Sequence, residues 1–422
     1  MSGNRGAEGA LRQRRERDVV IIGGGFGGLA CARALGGKPL SVTVIDRRNY
    51  HLFQPLLYQV ATAALSPADI AQPIRRILAP YPNVDVAMGE VTAIDLDGRT
   101  VTLDDGSDYD YGRLVLATGS EYNYFGHEAW SEFAPGLKSI EDARRIRSTL
   151  LRNFELAETS DDPNKRAALI TTVVVGGGPT GVEMAGAIAE LSRWTLARDF
   201  RHIDPASART LLVEAGPRLL AAFPEELAVY AADRLRGLGV TVITGASVDD
   251  VRPDSVVIAG RETPCGAVVW GAGIRATGIT QALGVPLDRT GRISVGSNLA
   301  IVGREDAYAI GDCAVCLQDG QPLPALAQVA KQQGEYLGRV LGEQGGVPKQ
   351  PFRFHNRGNT AVVGRNAAVF DFGKHHLRGR LAWLLWALVH VYLLVGFDKR
   401  LLVSIQWFWR YLTYQRGARL IR

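Results

Sequence analysis

One pattern constrains this chain more than any other, and it occurs twice. An unbroken apolar run is followed by glycines at fixed spacing and then by a helix-like stretch. "DVVIIGGGFGGLACARAL" sets Gly23, Gly25 and Gly28 directly after Val19–Ile22. So short an apolar run, closed by turn residues, reads as a strand buried on both faces of a parallel sheet. In G-x-G-x-x-G the first glycine permits a tight turn. The second lets the backbone approach a pyrophosphate, and the third lets the helix pack close to the strand. Free N–H groups at the helix start then face the phosphates. "TTVVVGGGPTGVEMAGAIAEL" repeats the arrangement with Gly176, Gly178 and Gly181.

Acidic residues strengthen both motifs. "SVTVID" supplies a second strand ending in Asp46, eighteen residues after Gly28. A carboxylate there accepts from both hydroxyls of an adenosine ribose. Glu214 ends "ARTLLVE", 33 residues after Gly181, so "RWTLARDFRHIDPAS" reads as added helix and loop. Glu214 suits a free 2′-hydroxyl and repels a 2′-phosphate, favouring NADH over NADPH, while nearby Arg218 works the other way. The expected fold is α/β, with two Rossmann-like dinucleotide-binding domains. With FAD in the first and NADH in the second, hydride passes between stacked rings. The first nucleotide is expected at Gly23, Gly25, Phe26, Gly27, Gly28, Asp46 and Arg47. The second is expected at Gly176, Gly178, Pro179, Thr180, Gly181 and Glu214. Gly271, Ala272 and Gly273 in "VVWGAGIRAT" are small enough for the nicotinamide half to lie against the backbone.

The chain has 422 residues, enough for two or three domains. Its four cysteines are too few for a disulfide framework and suit a reducing compartment. Residues 1–17 lack the apolar core of a signal peptide and read as a disordered basic arm. Glu8 and Glu16 argue against a mitochondrial presequence. The net charge of +5 is uneven: Lys374–Arg422 holds nine Lys/Arg against Asp398, so this tail carries +8 and the rest −3. A basic tail suits nucleic acid or an anionic membrane. Trp383, Trp386, Trp407 and Trp409 on an apolar background favour the lipid interface, and no nucleic-acid partner is expected.

"LAWLLWALVHVYLLVGF", Leu381–Phe397, runs seventeen residues without Lys, Arg, Asp or Glu. As a helix it spans about 25 Å, short of a ~30 Å hydrocarbon core. It is expected to lie on the membrane rather than cross it or fill a core. Beyond the turn at Asp398–Arg400, Leu401, Ile405, Phe408 and Leu412 oppose Gln406, Arg410 and Thr413, an amphipathic pattern. Arg378, Arg380, Lys399, Arg400, Arg416, Arg419 and Arg422 are expected to face anionic headgroups. A homodimer formed partly through this tail is also expected, since apolar faces that bind lipid can pair.

Beyond the glycines, several stretches resemble the type II, non-proton-pumping NADH:quinone oxidoreductases. "NYHLFQPLLYQVATAAL" looks like that family's segment beside the flavin and brings in Thr62. "LVLATGS" looks like the turn closing its first nucleotide fold, at Ala117, Thr118 and Gly119. "AYAIGDCA" looks like the late strand whose acid, here Asp312, holds the ribityl chain. "PALAQVAKQQGEYLG" looks like the A-Q-x-A-x-Q quinone signature, at Ala327, Gln328, Ala330 and Gln332. "GRLAWLLWALVHVYLLVGFDKR" is similar to the family's membrane-binding region.

The resemblance implies a peripheral enzyme on the cytoplasmic face of a bacterial inner membrane. It would oxidise NADH through FAD and reduce menaquinone or ubiquinone without pumping protons. Gln328 and Gln332, four apart, share a helix face, and an amide there can bond a quinone carbonyl as it gains charge. Small Ala327 and Ala330 would admit a flat ring. Glu183 has two readings: a first-turn acid stabilised by the helix dipole, worth roughly 0.3–1 kcal/mol, or a catalytic group near the nicotinamide and flavin. Cys313 and Cys316 form C-x-x-C, but follow the expected ribityl site rather than occupying a redox position. His375 and His376 have no metal-ligand spacing and read as exposed, and no metal is expected. The implied domains are the arm 1–17, an FAD domain in two parts (18–136 and 275–345), an NADH domain (137–274) and a membrane-anchoring region (346–422). The competing reading keeps FAD and NADH and changes the acceptor to a protein, a disulfide or another non-quinone molecule. A flavoprotein that binds DNA through its tail is a third reading.

Overall fold

The computed structural model describes residues 14–197, 199–343, 350–393, 401–405, 407, 419 and 421. Six helices bear on function: α1 (Phe26–Leu35), α2 (Leu57–Ala61), α3 (Pro179–Glu190), α4 (Glu225–Gly237), α5 (Ala327–Leu341) and α6 (Arg380–Leu393). The described residues fall into two compact units.

The first unit gathers the described parts of Met1–His51, Pro73–Ser120 and Arg275–His355. Its seven-stranded sheet runs Val84–Met88, Val42–Asp46, Arg14–Ile22, Asp108–Leu116, Thr100–Leu103, Val91–Asp95, with Ala307–Ala309 also on Asp108–Leu116. Val19–Ile22 pairs in parallel with Val42–Ile45 on one side and Arg113–Leu116 on the other. These residues are buried because helices cover such a sheet on both faces. The strand takes in the last four residues of the expected basic arm. Arg14 pairs with Asp110, while Arg17 donates to Thr43 Oγ1 at 2.8 Å and to Asp85 at 3.0 Å. Acids on other strands of the same sheet therefore hold Arg14 and Arg17 in place; residues 1–13 lie outside the described residues.

The second unit gathers Leu52–Gln72, Glu121–Ile274 and the described parts of Asn356–Arg422. Its parallel sheet runs Val240–Thr244, Arg209–Glu214, Thr171–Val175, Ala267–Trp270. A three-stranded antiparallel sheet, Asn359–Val362, Ala368–Asp371, His376–Gly379, leads into α6.

These units divide the chain differently from the sequence-based boundaries. Residues 52–72 join the second unit because α2 packs on helix Ile140–Thr159 and on α3. Residues 121–136 join it because Tyr124 and Trp130 are buried with Trp270. Phe352 instead joins the core of the first unit. From Asn356 on, the described part of the C-terminal region belongs to the second unit rather than standing apart.

Among the described residues no helix is long and apolar enough to cross a membrane. Residues 394–400, Gln406, Phe408, Arg410, Leu412, Thr413, Arg416 and Arg422 lie outside the described residues, and with them most of the expected second amphipathic helix.

Candidate active site

The two glycine loops share one geometry, and each glycine answers to a measurable distance. A Cβ at Gly28 would sit 1.8 Å from Gly23 O, and one at Gly181 would sit 1.8 Å from Gly176 O. Gly23 and Gly176 have φ of +104° and +103°, and a Cβ there would meet Ala117 O at 2.3 Å and Gly271 C at 2.7 Å. At the middle positions, Gly25 and Gly178, nothing lies within 4 Å of the Cβ position. First and third glycines are therefore fixed by the protein's own backbone. The second borders open space at a helix N-terminus, where a pyrophosphate fits. Phe26, Gly27 and Pro179–Gly181 begin α1 and α3 beside these openings.

Both acids are held in matching ways. Asp46 accepts from the N–H of Gly24 at 2.7 Å and of Arg48 at 2.8 Å. Glu214 accepts from Gly177 at 2.5 Å and Gly216 at 2.7 Å. Backbone N–H groups thus hold both oxygens of each carboxylate beside its own glycine loop. Arg47 is exposed next to Asp46. Arg218 donates to the carbonyls of Phe223 at 2.8 Å and Ala221 at 2.9 Å, so its charge is tied to backbone rather than offered to a 2′-phosphate. The insert before Glu214 forms a π-helical turn, Leu191–Thr195, and a short 3-10 turn, Pro205–Ser207.

Two polar residues that sequence reasoning passed over steady the first site. His51 is buried and bonds Gly24 O through Nδ1 at 3.0 Å, with its ring edge-on to Phe26 at 5.2 Å. A carbonyl partner requires the proton on Nδ1, and burial lowers the imidazole pKa, so the ring stays neutral. Gln333 is buried and accepts from Gly311 N–H at 2.7 Å. Gly311, at φ +74°, opens the turn that presents Asp312, and Asp312 accepts from Ser120 Oγ at 2.7 Å. Thr118 and Thr277 join hydroxyls at 3.0 Å, and Gly119 at φ +72° has nothing within 4 Å of its Cβ position. The signal for Gln333 was the third glutamine of "AQVAKQQ"; His51 follows Asn-Tyr after the first acid.

α5 packs on α1 along a seam of small residues. A Cβ at Gly334 would meet Gly27 O at 2.1 Å, and one at Gly338 would meet Cys31 O at 2.5 Å. Ala330 is buried, with its Cβ 3.1 Å from the Cβ position of Gly311. Ala327 and Gln328 stay partly exposed at the helix start. The Gln332 amide donates to His355 O at 2.9 Å and accepts from His355 N at 3.0 Å, so it is oriented by backbone at both ends.

In the second unit, Glu183 is the fifth residue of α3, past the first turn. It accepts from Val362 N–H at 3.3 Å, and burial pushes its pKa up to about 8. Burial acts on this carboxyl in the direction opposite to a helix dipole, which would lower its pKa. Part of the residue keeps solvent contact, which suits proton exchange. The Cβ position of Gly271 lies 3.7 Å from Gly181 N, two residues before Glu183. Thr62 is buried and donates to Tyr58 O at 2.9 Å.

All four cysteines are free and buried, and burial raises the Cys313 and Cys316 thiol pKa values. That suppresses the thiolate a disulfide reductase needs. His375 is exposed, but His376 bonds Glu226 at 2.8 Å and approaches Asp371 at 3.4 Å, a correction to its reading as a free surface residue. No metal-holding group occurs among the described residues.

α6 turns Ala382, Trp386 and His390 inward, while Leu381, Leu384, Leu388 and Tyr392 are exposed by 58% or more. The inner stripe is pinned. Trp386 stacks on Trp407 at 5.2 Å, Trp407 Nε1–H donates to Gln59 on α2 at 3.0 Å, and His390 meets Phe53 edge-on at 6.1 Å. Leu401, Leu402 and Ile405 extend the exposed apolar set. Of the expected headgroup-facing cations, Arg378 lies over the Tyr230 ring at 5.6 Å and Arg419 pairs with Asp199, while Arg380 is exposed.

The pyridine nucleotide-disulphide oxidoreductase family model matches residues 17–334. The type II NADH:quinone oxidoreductase Ndh of Mycobacterium tuberculosis is 40% identical, covering 96% of this chain and 90% of its own. An Arabidopsis thaliana internal alternative NAD(P)H-ubiquinone oxidoreductase of mitochondria is 30% identical over 92% of this chain and 83% of its own. The solved structure of NDH2 from Plasmodium falciparum with NADH shares the fold at a TM-score of 0.87 and 21% identity, over 96% of this chain and 99% of that one. Two matched dinucleotide cradles, and likeness to such relatives along nearly the whole chain, make this protein a member of the type II NADH:quinone oxidoreductase family.

Proposed function

We propose that this chain oxidises NADH held by the second nucleotide fold and passes two electrons, through FAD held by the first, to a membrane quinone, without pumping protons. The observation that carries the reading is the duplicated cradle: two openings at Gly25 and Gly178, each beside a loop-held acid. FAD, when bound, supplies the hydride-accepting and electron-passing chemistry. Gly23–Gly28, Asp46 and Arg47, with Ala117–Gly119 and Asp312, hold it. Gly176–Gly181, Glu214 and Gly271–Gly273 hold NADH, and Glu214 selects it over NADPH. Glu183, protonated through most of the neutral range, stores a proton near the nicotinamide end. Gln328 and Gln332 orient the quinone headgroup, menaquinone or ubiquinone.

The exposed stripe Leu381, Leu384, Leu388, Tyr392 lies on the bilayer, with Arg380 toward anionic headgroups. Attachment is monotopic, on the cytoplasmic face of a bacterial inner membrane, and a second copy pairs through part of the same tail. A double Leu384→Asp, Leu388→Asp variant tests this. It spares the buried Trp386 and His390, which truncation would remove. NADH oxidation with a soluble short-chain quinone should be unchanged, while oxidation with a long-chain quinone in anionic liposomes should fall at least about tenfold. Equal rates with liposomes would refute the docking surface. Flavin reduction by NADH without turnover of either quinone would refute the acceptor.

A further inference from the structure

The turn Asn123–Gly126 of the second unit holds one residue against its preferences. Phe125 is 61% exposed, so its ring gains little from burial. Its φ is +54°, a left-handed conformation that side chains larger than Asn or Asp avoid. The surroundings enforce it. Phe125 N–H donates to Asn123 Oδ1 at 2.8 Å, Asn123 N–H reaches Gly273 O at 3.4 Å, and Trp270 Nε1–H donates to Asn123 O at 3.1 Å. The ring lies against Gly273, where a Cβ would come within 2.6 Å of its Cζ. Gly273 is thus glycine both for its φ of +67° and to let this ring lie on the backbone.

Position gives the strain a meaning. Gly273 follows strand Ala267–Trp270, at the carboxyl end of a parallel sheet, where dinucleotides bind. That strand and the strand ending in Glu214 flank the loop strand Thr171–Val175 on opposite sides. Glu214 marks the adenosine side, so Phe125 marks the other. Backbone strain of this kind persists where the surroundings over-determine it, and it concentrates at ligand clamps.

We propose that Phe125 packs beside the nicotinamide half of NADH where it runs along the Gly271–Gly273 backbone, its ring forming the wall next to Gly273 that screens the nicotinamide riboside from water. It is a positioning and selectivity residue, and the inference rests on the second fold being the NADH site. Phenylalanine and the flat nicotinamide ring meet in offset or edge-on contact.

The test compares 1,4,5,6-tetrahydro-NADH, which cannot release a hydride, with ADP-ribose, which lacks the nicotinamide. Titrations use the FAD-loaded wild type, Phe125→Asn and Phe125→Trp, with thermal midpoints recorded. Asn accepts the left-handed turn, so Phe125→Asn should melt no lower than wild type. It should bind tetrahydro-NADH about three- to tenfold more weakly and ADP-ribose within about twofold. Phe125→Trp should restore the nicotinamide-dependent affinity. Equal loss for both ligands, no loss for either, or a lower midpoint with affinity intact would overturn the role of Phe125 while leaving the NADH site standing. Failure of the wild type to bind either ligand would overturn the site and the inference together.

Discussion

Replacing Glu183 with glutamine should stabilise the second unit, increasingly so as pH rises. The carboxyl pKa moves from 4.5 to about 8 because burial disfavours its charged form. Between those values the folded chain keeps a proton that the unfolded chain has lost, so wild-type stability falls as pH rises through the window. At about 1.36 kcal/mol per unit, the cost approaches roughly 5 kcal/mol above pH 8 and about 3 kcal/mol at pH 7. The partial exposure of the residue makes these upper figures. Glutamine keeps an acceptor for Val362 N–H but never ionises. All seven tryptophans fall in the second unit's residue ranges, so tryptophan fluorescence during urea unfolding reports on the unit that contains Glu183. The variant-minus-wild-type difference should be near zero at pH 5 and grow by about 1 kcal/mol per unit to pH 8. A difference constant with pH, or one that shrinks, would show that the carboxyl titrates normally or is paired, and the burial argument would fail.

Other outcomes follow from the distances. Gly181→Ala places a Cβ 1.8 Å from Gly176 O and should abolish soluble folded protein. Gly178→Ala meets nothing within 4 Å, so it should fold with FAD bound while KM for NADH rises about tenfold in steady-state assays. The His376 pKa, raised chiefly by its bond to Glu226, should be found above 6.5 by NMR and drop in Glu226→Gln. Any stability from that contact is present at low pH and lost as pH rises through the raised value. The double Cys313→Ser, Cys316→Ser variant should retain NADH-to-quinone turnover, because buried thiols of raised pKa supply no thiolate. Loss of flavin reduction with FAD still bound would contradict this.

Periodicity and spacing made the nucleotide folds readable, because a G-x-G-x-x-G loop leaves its chain few alternatives. The close approach at Gly28 and Gly181, and the carboxylates held by loop N–H groups, follow from local geometry that neighbouring residues enforce. What was not legible depended on distant segments. Glu183 stood between two readings, a first-turn acid and a catalytic group, and nothing nearby in the sequence announces that the strand at Val362 meets it. Residues 14–17 looked like a free arm because the acids that hold Arg14 and Arg17, Asp110 and Asp85, lie far along the chain. The fit of Gly334 and Gly338 against α1 depends on a helix some 300 residues away in sequence, so no local pattern announces it. Phe125 carried no motif at all; its strain is a property of a folded turn.

The seam between α1 and α5 limits how resistance to an inhibitor can arise. A compound seated over the outer residues of α5 contacts a helix whose inner residues, Ala330, Gly334 and Gly338, touch the backbone of the FAD loop helix or the Asp312 turn. Escape substitutions on that inner face would cost the enzyme its flavin before they cost the inhibitor its affinity. Viable escape falls to outward positions such as 328, 331, 332 and 335, and two of these carry the amides proposed to receive the quinone.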